Sequence, residues 1–198
     1  MKKLLISLSM AGALALSAQP ALAQDFEAGF AAAQAGDFET ALAQWQPLAE
    51  QGDARAQYGL GVIYANGHGV AHDHAKAFRW YRMAADQGFV LAQYNLGLMY
   101  DKGLGVAQND AQAARWYRLA AEQGDADAQH NLGVMHATGQ GMPKDEVTAF
   151  MWFTLALDAG SKDASSNRNM LAARLSPEQL AKGEQMATQC QARDYKGC

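Results

Sequence analysis

A block of 36 residues, repeated three times without a gap, is the feature that most restricts how this chain can fold. The copies occupy residues 54–89, 90–125 and 126–161. Self-similarity at a fixed period of this size is typical of solenoids, in which each repeat is one supersecondary unit that packs against its neighbours. The sequence therefore predicts a stack of repeated units.

Each copy is predicted to form two helices. In the first helix, Leu60, Gly61 and Tyr64 lie one, three and four residues apart, which places Leu60 and Tyr64 on one helical face. Glycine inside a helix costs roughly 1 kcal/mol relative to alanine, yet it recurs in the next copies as Gly97 and Gly133. A position without a side chain lets the paired helix approach closely, so we expect tight packing there.

The second helix of each copy begins after a side chain that can cap its free backbone N–H groups. These capping residues are Asp73, Asn109 and Asp145. A tryptophan recurs at one position of this helix, as Trp80, Trp116 and Trp152. Tryptophan at a fixed position of an amphipathic helix usually belongs to the core, so we favour core packing over a ligand platform.

The combined pattern, LGxxYxxGxGVxxD followed by AxxWYxxAAxxG, resembles the Sel1-like repeat, a relative of the tetratricopeptide repeat. The resemblance spans roughly residues 37–187. It implies an all-α fold, a right-handed α/α superhelical solenoid of helix pairs. Residues 24–53 are then expected to form an N-terminal tetratricopeptide-like helix pair, and residues 162–198 to form C-terminal capping helices with a two-cysteine tail.

Residues 1–23 have the pattern of a secretory signal peptide: Lys2 and Lys3, an apolar run over residues 4–16, and an Ala-x-Ala site that ends at Ala23. The alternative is an uncleaved membrane anchor, but the apolar run is too short to span a bilayer comfortably. No second apolar run has transmembrane length, so we expect no stable membrane insertion after cleavage. The signal is bacterial in style and predicts a periplasmic or secreted protein.

The chain has two cysteines, Cys190 and Cys198. An even pair in an exported chain predicts a disulfide, with two free thiols as the alternative. A zinc site needs about four ligands, and no histidine neighbours this pair in the sequence.

Several functional classes lack support in the sequence. The formal net charge of −4 argues against a nucleic-acid-binding protein, because binding to the phosphate backbone depends on clustered Lys and Arg side chains. No nucleophile elbow, acylation motif or zinc-protease motif is present, so we predict a protein that is not an enzyme and that holds no cofactor. The resemblance leaves one enzymatic alternative, a hydrolase of β-lactam or cell-wall material, although the S-x-x-K motif is missing.

A metal-binding module is a further alternative, because three histidines share one predicted interhelix loop: His68, His72 and His74. The next copy has Leu104, Gln108 and Asp110 at the equivalent positions. Histidines that occur in one loop, and not at the same positions in the other copies, are explained equally well as ordinary surface residues. We therefore predict no metal site.

The resemblance also implies a working surface. In tetratricopeptide relatives the first helices line a concave face that binds peptides or protein segments. Nine positions are expected on this face by that resemblance: Tyr58, Val62, Asn66, Tyr94, Leu98, Lys102, His130, Val134 and Thr138. The alternative is that these residues only pack between neighbouring repeats. The favoured function is a non-enzymatic scaffold or regulatory adaptor for a protein or peptide partner in the bacterial envelope.

Overall fold

The computed structural model describes residues 25–198, so the predicted signal peptide lies outside the described residues. Within that range the chain forms ten α-helices and no strand, which confirms the all-α prediction. The helices are α1 (Phe26–Gln34), α2 (Phe38–Glu50), α3 (Ala54–Asn66), α4 (His74–Asp86), α5 (Val90–Lys102), α6 (Asp110–Ala121), α7 (Ala126–Thr138), α8 (Glu146–Asp158), α9 (Asp163–Ala172) and α10 (Pro177–Gln191).

The helices pack in chain order, which makes the fold a solenoid. Each first helix packs against the second helix of its own repeat, as α3 packs on α4. Each second helix then packs against the first helix of the next repeat, as α4 packs on α5. Because every unit contacts its neighbours in this way, side chains from two successive repeats meet along the whole stack. None of the helices in residues 25–198 is long and apolar enough to cross a membrane.

The glycine inside each first helix lies against an aromatic ring of the second helix. A Cβ atom at Gly61 would come within 3 Å of the Tyr81 ring, and one at Gly97 would come equally close to the Tyr117 ring. Real Cβ atoms essentially never come so close. The predicted close approach of the paired helices is therefore confirmed, and the aromatic ring is what fills the space that glycine leaves.

The loop glycines also join successive repeats. Gly105 has φ of +69°, a left-handed conformation that favours glycine. A Cβ atom there would collide with the backbone carbonyl of His74, at the start of α4 in the preceding repeat. Gly141 stands in the same relation to Asp110 at the start of α6. The interhelix loop of one repeat thus rests on the second helix of the repeat before it.

The core is a series of clusters at the repeat junctions. Trp116 and Trp152 are buried, as predicted, whereas Trp80 is only partly buried beside α2.

Asp73, Asn109 and Asp145 cap the second helices, which confirms that prediction.

The carboxyl end of the stack is closed by α10, which packs on α8. Ser176 and Gln179 form a reciprocal capping box at its start. Cys190 at its end is fully buried and is joined to Cys198 by a disulfide, with the two Cα atoms 5.6 Å apart. The structure thus contains the disulfide that the paired cysteines predict.

Candidate functional site

The nine residues predicted for the working face are supplied by three first helices, α3, α5 and α7. We call them the first-helix surface: Tyr58, Val62, Asn66, Tyr94, Leu98, Lys102, His130, Val134 and Thr138. None of the nine is buried, although the Leu-Gly pairs between them are. The three positions expected at the edge of the face, Asn66, Lys102 and Thr138, are the exposed ones, and the other six are partly buried.

A series of side-chain contacts links this surface from one repeat to the next. His130 and Asn167 are hydrogen-bonded at 2.8 Å between the ring Nε2 and the amide nitrogen. At the equivalent position one repeat earlier, burial raises the pKa of Tyr94, the carboxylates of Asp127 and Asp125 raise it further, and the Asn131 amide opposes the rise. Burial likewise raises the pKa of Tyr58, and the Asn95 amide opposes that rise. The tyrosine hydroxyls therefore stay protonated at neutral pH.

From the sequence we do not predict that the asparagines of this series contact the first-helix surface. Asn95 and Asn131 immediately precede the Leu-Gly pair in the second and third copies, and that recurrence was a usable signal. Their partners lie one repeat away, however, and a periodic pattern does not show which side chains meet across a junction.

A hollow at the amino-terminal end of the first-helix surface has a volume of about 500 Å³. We call it the apolar hollow, because its walls are mainly aromatic and aliphatic: Phe26, Phe30, Phe38, Trp45, Tyr58, Val62, Phe89 and Leu91. Phe30 and Leu91 are each 45% exposed. Solvent-accessible apolar side chains that converge on one concavity are typical of a binding site.

Arg55 is the charged residue in the wall of the apolar hollow. Its guanidinium lies 4.3 Å from the centre of the Phe26 ring. It also pairs with Asp53 at 3.1 Å and with Glu27 at 3.6 Å. These pairs are exposed and contribute little stability, so their main effect is to fix the position of the guanidinium at the rim.

A second hollow, of about 410 Å³, lies between the second and third repeats. We call it the polar hollow, and its walls are Asp101, Lys102, Gln108, Tyr117, Asn131, Val134, Met135 and Gln140. A smaller hollow of about 270 Å³ follows at the next junction and includes Val134 and Thr138. The structure therefore brings Tyr58 and Val62 into one hollow, Lys102 and Val134 into another, and Thr138 into a third.

The other four residues of the first-helix surface, Asn66, Tyr94, Leu98 and His130, do not line these three hollows. Tyr94 is nevertheless joined to the wall of the polar hollow through Asn131.

The three loop histidines do not converge. The His72 and His74 rings meet edge to face, with centroids 4.0 Å apart, whereas the His68 ring stacks on Phe38 at 4.5 Å. In the part of the chain that the structure describes, no group of three or more His, Cys, Asp or Glu side chains is arranged to hold a metal ion. The aromatic contact that holds His68 against α2 accounts for its separation from the other two.

Two titratable residues, His136 and Asp145, lie together near the start of α8. Burial lowers the pKa of His136, and Arg118 lowers it further, so the imidazole is neutral at pH 7. Asp145 is committed to capping α8, where it accepts hydrogen bonds from the backbone N–H groups of Val147 and Thr148 at 3.0 Å. The carboxylate beside this histidine thus has a structural role. The hollow that His136 and Asp145 line also contains Lys144 and Glu146, and none of its lining residues is Ser, Thr or Cys.

Comparison with known proteins identifies the repeats. The Sel1 repeat family matches this chain three times, at residues 54–89, 90–125 and 126–161. No match was found among curated proteins.

Solved structures show the same architecture. A Sel1 repeat protein from Oxalobacter formigenes is 34% identical over 74% of this chain, with a TM-score of 0.71. The protein c5321, a protective antigen of uropathogenic Escherichia coli strains with an SLR fold, is 37% identical over 79% of this chain, with a TM-score of 0.72. The matches span 60% and 34% of the lengths of those two chains.

A more distant similarity concerns the fold alone. Cysteine-rich protein B of Helicobacter pylori is 24% identical, with a TM-score of 0.53 over 66% of this chain and 93% of its own.

Proposed function

Because this chain belongs to the Sel1 repeat family, whose members are typically scaffolds for protein–protein interaction, we propose that it is a non-enzymatic scaffold. It binds a protein or peptide partner through the first-helix surface. The partner belongs to the bacterial envelope, and the chain acts there as an adaptor or regulator.

The apolar hollow is the observation that carries this proposal. It combines residues from α1, α2, α3 and α5, so the N-terminal unit and the first two repeats must all be folded to form it. Phe30 and Leu91, at 45% exposed each, present apolar surface that a partner would cover. Burial of apolar surface is favourable by roughly 25 cal/mol per Å² before the costs of association are subtracted, so covering these side chains favours binding.

The compartment is supported by two further observations. The disulfide between Cys190 and Cys198 is consistent with an oxidising environment. The pattern over residues 1–23 is that of an export signal. Together they favour the periplasm or the exterior of the cell.

The test is a crosslinking pull-down from a native envelope extract, with the chain from Gln24 onward as bait. The test variant is Phe30→Ala with Leu91→Ala, which trims the apolar hollow. The matched control is Met83→Ala with Leu157→Ala, which trims two similarly exposed apolar residues on the second helices, at 44% and 37% exposed. Circular dichroism confirms that both variants keep the helical content of the wild type.

A partner that is captured by the wild type and the control, but lost by the hollow variant, supports the proposal. Loss in the control and retention in the hollow variant would place the working surface on the second helices and overturn it.

A further inference from the structure

The start of α5 departs from the repeat at two positions, and each departure places an apolar residue where the other copies have a charged one. Phe89 precedes α5 at the position where Asp53 and Asp125 precede α3 and α7. Those two aspartates cap their helices, whereas Phe89 makes no capping hydrogen bond with its side chain. Because a capping aspartate stabilises a helix, α5 lacks a stabilising contact that α3 and α7 have.

Leu91, the second residue of α5, is the other departure. The equivalent residues are Arg55 in the first copy and Asp127 in the third, and both are charged and exposed. Phe89 and Leu91 both line the apolar hollow, where the centroid of the Phe89 ring lies 5.1 Å from that of Tyr58. The two departures from the repeat therefore build one wall of this hollow.

The rim of the hollow at the start of α3 carries excess negative charge. Arg55 pairs with Asp53 at 3.1 Å and with Glu27 at 3.6 Å. Asp53 raises the pKa of Arg55, and the carboxylates of Glu27 and Asp25 raise it further. Three carboxylates thus surround one guanidinium. The other basic side chain that lines the hollow, among the described residues, is His68, which stacks on an aromatic ring of α2.

Two more carboxylates lie at the start of α7, one repeat beyond α5. Burial raises the pKa of Tyr58, and the Asp125 carboxylate raises it further. Because this electrostatic effect decreases with distance, Asp125 lies close to a residue that lines the hollow. Asp127 is two residues further along the chain and is exposed. Carboxylates therefore flank the apolar hollow at α3 and at α7, and their field is complementary to a cationic partner.

We propose that the apolar hollow receives a large apolar side chain from a protein segment in which Lys or Arg residues flank that side chain. This inference rests on the proposed function, and it names the chemistry that the scaffold recognises in its partner. Phe30 and Leu91, each 45% exposed, are accessible to the apolar side chain. Asp127 and Glu27 are exposed and accessible to the flanking cations.

The experiment uses four acetylated and amidated heptapeptides, Ser-Xaa-Xaa-Zaa-Xaa-Xaa-Ser. Three of them have Phe as Zaa, with Lys, Gln or Glu as Xaa, and the fourth has Ser as Zaa with Lys as Xaa. Each is titrated into the labelled chain from Gln24 onward, and the methyl signals of Leu91 and Val62, which line the hollow, are followed by NMR. The Lys–Phe peptide is expected to shift these signals saturably and to bind at least about fivefold more tightly than the Gln–Phe peptide.

The other peptides define the results that overturn the inference. Equal or tighter binding of the Gln–Phe peptide would mean that cations are not recognised. Tighter binding of the Glu–Phe peptide would make Arg55 the charge that selects the partner. Equal binding of the Lys–Ser peptide would mean that the apolar side chain is not recognised. The absence of a saturable shift with the Lys–Phe peptide into the millimolar range overturns the inference as well.

Leu91→Gln tests the apolar wall without adding a charge, and glutamine is a good helix former. This variant is expected to bind the Lys–Phe peptide at least about fivefold more weakly, with an unchanged thermal midpoint, as followed by the Val62 signals. The matched control is Leu157→Gln, on α8, which should bind as the wild type does because Leu157 is exposed away from the hollow. Unchanged binding in Leu91→Gln overturns the inference. Sedimentation that shows dimers of the wild type and monomers of Leu91→Gln would assign the hollow to a second copy and overturn it too.

Asp125→Asn with Asp127→Asn tests the flanking charge, and asparagine can still cap α7. The preference for the Lys–Phe over the Gln–Phe peptide is expected to fall at least about twofold. The control, Glu178→Gln with Glu184→Gln, removes the same charge from α10 at the other end of the stack and should keep the preference of the wild type. An equal fall in both variants would mean that net charge alone attracts the peptide, and would overturn the inference.

The scaffold proposal fails separately, through the pull-down. A native partner lost on trimming the apolar hollow, together with peptides that show no preference for flanking cations, would retain the scaffold and reject this inference about its partner.

Discussion

Gln123 donates a hydrogen bond of 2.7 Å to the side-chain oxygen of Gln93, 30 residues earlier in the chain. Gln93 in turn donates to the carbonyl of Ala85 at the end of the preceding second helix. The same arrangement joins Gln87, Gln57 and Ala49 one repeat earlier. The buried side chains of Gln57 and Gln93 thus each donate one hydrogen bond and accept another, and so link two successive units of the stack.

The third repeat lacks one member of this arrangement. Gln129 donates to the carbonyl of Ala121 at 3.2 Å, but its side-chain oxygen is buried without a partner in the described part of the chain. The residue equivalent to Gln87 and Gln123 is here Ala159. Replacing it with glutamine should supply the missing donor.

We expect Ala159→Gln to stabilise the protein by about 1 kcal/mol, the usual net value of such a bond. Ala159 is exposed and has backbone angles like those of Gln87, so the longer side chain is accommodated. Urea denaturation measures the change, with Ala159→Met as the control for added side-chain bulk. A gain in the methionine variant equal to that in the glutamine variant would show that the hydrogen bond is not the cause.

Gly97→Ala should destabilise the protein by about 1–3 kcal/mol, because the new methyl group overpacks the Tyr117 ring. Intrinsic helix propensity alone predicts the opposite sign, a gain of roughly 1 kcal/mol. The direction of the change in urea denaturation therefore separates the two effects. An increase in stability would mean that α6 can move away from α5 without a loss of packing energy.

Loss of the disulfide should destabilise the C-terminal end by about 2–3 kcal/mol, the value expected for a short closed loop. The thermal midpoint of Cys198→Ser should fall by roughly 5–10 °C. Reduction of the wild type should reproduce that fall, whereas reductant should not affect the variant. A wild type that keeps its midpoint after complete reduction would contradict this role for the bond.

Two capping aspartates, Asp125 at the start of α7 and Asp145 at the start of α8, should respond to pH in opposite directions. Burial raises the pKa of Asp125, and Asp127 adds to the rise. A raised pKa means that the folded state favours the protonated form, so the stability contributed by Asp125 is lost as pH rises through its folded pKa. Asp125→Asn, which keeps a capping oxygen, should therefore be equal to or more stable than the wild type at pH 7, with any gain disappearing in acid.

The pKa of Asp145 is shifted in the opposite direction. Partial burial raises its pKa, but hydrogen bonds from Thr148 and Val147 outweigh this effect and lower the pKa overall. Its contribution is present above the ordinary pKa of an aspartate and is lost as pH falls through the folded pKa. Asp145→Asn should lower stability at pH 7 and have less effect in acid. Parallel changes in the two asparagine variants across denaturation curves at pH 7 and in acid would refute the assignment.

The features of the fold that recur within each copy were predictable from the sequence. The glycine at Gly61, the cap at Asp73 and the two-helix unit all follow from local chemistry and a fixed period. Gln57 also recurs in every copy, but its burial was not predicted. Glutamine is rarely fully buried, and the partners of this one lie across a junction between units.

The hollows could not be predicted in the same way. The apolar hollow joins Phe30, Tyr58 and Leu91, which belong to three different units and share no repeat position. The polar hollow depends on departures from the repeat, such as Asp101 and Gln140, whose proximity only the folded chain reveals. Side chains from different units meet according to how the units stack, and the period alone does not specify that geometry.

The most direct test of the scaffold account is the affinity of the captured partner for three forms of the chain, measured by titration calorimetry. The account predicts that Phe30→Ala with Leu91→Ala weakens binding at least tenfold, because two apolar contacts at the centre of an interface are lost. It also predicts that Met83→Ala with Leu157→Ala binds as the wild type does. Equal affinity of the hollow variant and the wild type would contradict the account.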